Sequence, residues 1–206
     1  MTHSLHRTGS VNSLKKDYVI LITPAVGINH YDSKEKLIKI LDKIFELEPT
    51  NIGSYETGTI FSGATIEDIK EQLSETPRVR CCFSEKEKIK ELVKYIKDNN
   101  FGLSVTLSGL TEEIMSLAEE LDIEPHSINL SLGVFGRTEK LPPEEVLEFI
   151  TMCGHGMISR NLVTKLIKEV RDGKKSKEQA AKIMASPCVC GIFNTNRAIE
   201  LLNKYC

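Results

Sequence analysis

The chain has 206 residues, a formal net charge of −2, 40% apolar and 27% charged residues, and no Trp. That balance suits a globular protein built as one large domain, or one domain and a subdomain. Near-neutral charge and few aromatics give no basis for a nucleic-acid partner or an anionic membrane surface, and no apolar run approaches the roughly 20 residues that span a bilayer.

Residues 1–16 read as a polar N-terminal arm, loosely held. Their "MTHSLHRTGS" start lacks the apolar core of a secretory signal, so the expected compartment is the cytoplasm. "YVILIT" is short, continuous and rich in β-branched residues, which predicts a buried strand. In "DSKEKLIKILDKIFELEP", Asp32 and Glu35 are spaced as a capping box and Leu37, Ile40, Leu41 and Ile44 form an apolar stripe, with Pro49 as the stop. "NIGSYETGTIFSGA" is strand-like but broken by glycines, so it reads as a hairpin or as a loop before a strand.

"TIEDIKEQLSE" predicts a helix capped by Thr65, and "RVRCCF" a short strand. "SEKEKIKELVKYIKDNN" carries Ile89, Leu92, Val93 and Ile96 at the i, i+3, i+4, i+7 positions of one helix face. "GLSVTLSGL" and "SINLSLGVFG" alternate apolar and polar residues, the mark of half-buried strands, on either side of the helix "TEEIMSLAEELDI". Strand and helix therefore alternate over residues 17–136. This predicts an α/β sandwich with a mixed or parallel sheet. After Gly136 only helical patterns remain, with Ser159 and Ser176 as caps, so residues 137–206 are expected to form a Cys-containing helical C-terminal subdomain packed on the α/β part.

Six cysteines in a reducing compartment point to metal or redox chemistry before disulfides. Cys153 and His155 lie between glycines in "MCGHGMISR"; Cys188 and Cys190 form a C-x-C pair in "PCVCG". The two helices between these stretches, joined by the turn "RDGKK", make a hairpin that returns the chain to its start, so the three thiols and the imidazole can meet. Cys81 and Cys82 are adjacent in a strand and must face opposite ways, which lets Cys82 reach the helical part.

The expectation is an iron–sulfur cluster with a redox or cluster-dependent role, held by Cys153, Cys188 and Cys190 with a fourth ligand from His155, Cys81, Cys82 or an exogenous molecule. The alternatives are a Cys3His zinc site in a binding or assembly module, and a metal-free thiol enzyme. A second candidate site is the strand-to-helix turn "TLSGLTEE", where Ser108, Gly109 and Thr111 can receive an anionic cofactor group at a helix N-terminus. Arg137 is the cation expected to face such a group or a thiolate cluster. No standard dinucleotide or P-loop motif is present. The expected partners are a redox protein or a small-molecule ligand, with a second copy of the chain also open.

Overall fold

The computed structural model describes residues 2–73 and 77–206. The end of the helix expected over residues 65–75 lies outside the described residues. Among them, one sheet holds β1 (Tyr18–Thr23), β2 (Asn51–Ser54), β3 (Gly58–Thr59), β4 (Val79–Phe83) and β5 (Ser104–Ser108), in the order β3-β2-β4-β1-β5. Every neighbouring pair is antiparallel.

The expected mixed or parallel sheet is therefore wrong, and the reason is topological. The helix α2 (Ser33–Glu46) connects β1 to β2, and α4 (Lys86–Asp98) connects β4 to β5. Each connection skips one place, so β4 lies between β1 and β2, and β1 lies between β4 and β5. Strands joined by a helix run the same way without touching, as in two interleaved split β-α-β units.

Alternation along the strands gives the sheet two unlike faces. Tyr18, Ile20, Ile22, Cys81 and Phe83 pack against Leu37, Ile40, Leu41 and Ile44 of α2 and Ile89, Leu92 and Val93 of α4. Each such side chain contributes roughly 1.5–3 kcal/mol of transfer free energy on burial. Val19 and Cys82 point the other way, into a core built with the C-terminal helices. These are α6 (Glu144–Ile150), α7 (Arg160–Arg171), α8 (Lys177–Ala185) and α9 (Thr195–Tyr205). The other α-helices are α1 (Val11–Leu14), α3 (Ile66–Gln72) and α5 (Thr111–Glu120).

Local chemistry explains most ends. Thr65 and Ser176 form full capping boxes with Asp68 and Gln179, and Ser159 accepts from the Leu162 amide. Asp32 stands at the N-cap of α2 but makes no cap hydrogen bond, so the expected Asp32–Glu35 box does not form. The glycine-broken stretch is a hairpin, with Gly53 opposite Thr59 and Ser54 opposite Gly58.

The expected strand over "SINLSLGVFG" is absent. Residues 124–137 carry no regular secondary structure and are exposed throughout. The free edge of β5 lies nearby, but no backbone hydrogen bond joins the two among the described residues. No helix among the described residues is long and apolar enough to cross a membrane.

Candidate metal centre

The hairpin of α7 and α8 brings "MCGHG" and "PCVCG" to the same place. Cys153, Cys188 and Cys190 are buried in the core between the sheet and the C-terminal helices. Cys188 Sγ lies 3.9 Å from Cys190 Sγ, and Cys190 Sγ lies 3.7 Å from His155 Nδ1. Cys188 also hydrogen-bonds to Cys153. His155 sits at the exposed rim of the group, and its Nε2 bonds to the Tyr55 hydroxyl of the β2–β3 turn.

The three thiols are not equivalent. The Cys188 hydrogen bond, against the cost of burial and helped by the His155 and Met157 amides, draws the Cys153 thiol down from 9.0 to about 6. The same bond pushes Cys188 well up, reinforced by Cys190 and by burial. The two thiols therefore titrate as a pair, with Cys153 the one drawn toward the thiolate. Among the described residues, no group of three or more His, Cys, Asp or Glu side chains is arranged as a ready metal cage. A metal held by the thiols and His155 Nδ1 would displace thiol protons and leave His155 Nε2 on the Tyr55 hydroxyl.

Two arginines serve this region. Arg80, on the same sheet face as Cys82 by alternation, is buried with its guanidinium 4.5 Å over the Tyr55 ring. Burial lowers its pKa, while Cys190 acts to hold the charge. Arg7 donates to the Met152 carbonyl at 2.8 Å and to the Ile192 carbonyl, and pairs with Asp17. Those carbonyls belong to the residue before Cys153 and the second residue after Cys190, so Arg7 ties both cysteine loops together. Burial pulls Arg7 down, but Asp17, Cys82 and Cys188 together hold it above its usual value. Asp17 also receives Arg197 at 2.8 Å and Asn194 at 3.1 Å.

The "CVCG" loop lies backbone-to-backbone on β2. A Cβ on Gly53 would stand 2.5 Å from the Val189 carbonyl oxygen, and a Cβ on Gly191 would strike the Ile52–Gly53 backbone. Gly191 also has φ +71°, so this contact needs glycine on both sides.

The other expected residues stand apart. Cys82 lies in the same core with its sulfur 3.1 Å from Thr50 Oγ1, and burial raises it to about 12 against the pull of Arg7 and Thr50. Ser108 bonds to Ser4 at 2.8 Å, while Gly109 packs under Ile114 and Tyr18. Ser108, Gly109 and Thr111 line a cleft of about 860 Å3 beside β5 and α5, and Arg137 does not line it. Glu112 and Glu113 occupy the first turn of α5, which makes that helix end a poor anion receptor. Arg137 is exposed in the loop before α6.

Sequence reasoning missed Arg7, Tyr55 and the Gly53–Gly191 contact. Only the glycine of "CVCG" carried a local signal. No known family, curated protein or solved structure matches this chain.

Proposed function

We propose that Cys153, Cys188, Cys190 and His155 bind a single zinc-like ion that locks the C-terminal helices to the sheet. The protein is then a metal-stabilised binding or assembly module. The observation that carries this is the spacing of the donors. Zinc–sulfur bonds of roughly 2.3 Å and zinc–nitrogen bonds of roughly 2.0–2.1 Å at tetrahedral angles put sulfurs about 3.8 Å apart and sulfur and nitrogen about 3.6 Å apart. The pairs here stand at 3.9 and 3.7 Å. A four-iron cluster takes one thiolate per iron and holds its sulfurs out of direct contact, so the close packing supports one ion over a cluster of that kind. Burial of all three sulfurs suits a closed structural site. One divalent ion with three thiolates and a neutral imidazole carries net charge −1, which Arg80 and Arg7 offset.

A second reading rests on the Cys153 thiolate, a nucleophile beside a proton-donating thiol. One preparation separates the readings. The protein is purified without oxygen, dialysed, and analysed for zinc, iron and sulfide. The zinc proposal expects one zinc per chain, lost in the Cys188→Ser, Cys190→Ser double variant. Iron with matching sulfide would restore the cluster. A protein that stays metal-free after zinc reconstitution under reducing conditions, yet alkylates selectively at Cys153, would establish the thiol reading.

A further inference from the structure

We propose that residues 127–135 form an assembly strand that pairs antiparallel with the same segment of a second copy of this chain. Ile128, Leu130, Leu132, Val134 and Phe135 are 57–87% exposed, an unusual concentration of apolar surface on one stretch of backbone. The first four recur at every second position, so an extended chain carries them on one face. A strand with this pattern needs a neighbour. Among the described residues no strand pairs with it, and the chain stays exposed from residue 124 to 141.

The pattern is self-complementary. Antiparallel pairing about a two-fold axis near residue 131 sets Ile128 opposite Val134 and Leu130 opposite Leu132, with all four apolar positions of both strands on one face. No charged residue lies between Ser127 and Gly136, so nothing repels across the pair. At the ends, antiparallel pairing brings Glu124 of one copy toward Arg137 of the other, whereas parallel pairing would set like charges side by side. Pairing in this register takes Gly133 from its present φ of +102° to an extended conformation, a change that glycine makes at no steric cost. Residues 127–131 already form one wall of the cleft of about 860 Å3 whose other wall holds Leu107 and Ile114, so the apolar face has a surface to settle on. Two such strands, each also covering apolar surface, remove on the order of 1,000 Å2 or more from water, enough for a specific contact. The inference goes beyond the metal reading and stands without it.

Analytical ultracentrifugation of the full chain over a range of concentrations tests this. A dimer is expected, with backbone amides of residues 127–134 protected from hydrogen exchange. The Leu130→Asp, Leu132→Asp variant should sediment as a monomer with unchanged circular dichroism and unchanged metal content. Should that variant misfold, Ser131→Pro removes one strand amide without adding charge and should also give a monomer. A wild-type chain that stays monomeric at every concentration overturns the proposal, including the case where residues 127–134 are protected by closing on their own β5. A variant that remains dimeric overturns it as well.

Discussion

The two faces of the sheet are covered by helices of quite different chemistry. The α2 and α4 side is apolar within, and its charges sit outside in pairs such as Lys94–Asp98 and Lys43–Glu91. The C-terminal side buries Asp17, Asn51, Arg80, Glu148, Asn194 and Arg197 together with the thiols. Burying such groups is costly unless each is partnered, and partnered groups fix one arrangement of the chain. The first layer is held by area. The second is held by a network whose geometry matters, as a metal centre requires.

Substitutions can break this contrast, and the largest effect is expected at Asp17. Asp17→Ala leaves Arg7 and Arg197 buried without their carboxylate, which costs about 3–5 kcal/mol in urea unfolding. A loss no greater than that of an exposed pair would remove the network from the account. In the first layer, Ile40→Ala should cost about 2–5 kcal/mol through a cavity alone, with metal content unchanged.

Gly191→Ala should cost about 1–3 kcal/mol from backbone strain and lift the "CVCG" loop from β2. Zinc retention after dialysis should fall with it, and full retention would show that the glycine contact does not place the thiols.

The metal-free protein should also respond to pH through Cys153. Its folded value of about 6 lies below the ordinary 9.0, so the folded chain binds fewer protons there. That stabilisation is complete above 9.0 and is lost as pH falls toward 6. Cys188, shifted upward, acts with opposite sign, losing its contribution as pH rises past the ordinary value. Thermal melts of the metal-free chain across this range should shift, and Cys153→Ser should flatten the acid limb. Smallest of all, Lys94→Ala at an exposed pair should change stability by less than about 0.5 kcal/mol.

How much was legible in the sequence follows the same division. The stripe at Ile89, Leu92, Val93 and Ile96 reads directly because helix period and burial coincide. The divergence of Cys81 and Cys82 reads from strand alternation, and the meeting of Cys153 with Cys188 follows from a hairpin of two helices. Strand order does not read. Patterns report which residues form strands, not that β4 inserts between β1 and β2. The segment at 127–135 has a strand's alternation but no strand paired to it among the described residues. Arg7 and Tyr55 stand far from the cysteines in sequence, and a lone arginine in a polar arm carries no periodic signal.

Hydrogen exchange with and without a zinc chelator separates the two layers. Chelation should expose amides of α6 to α9 and leave α2 and α4 unchanged. Equal protection of both layers, chelator present or absent, would contradict the proposed zinc lock.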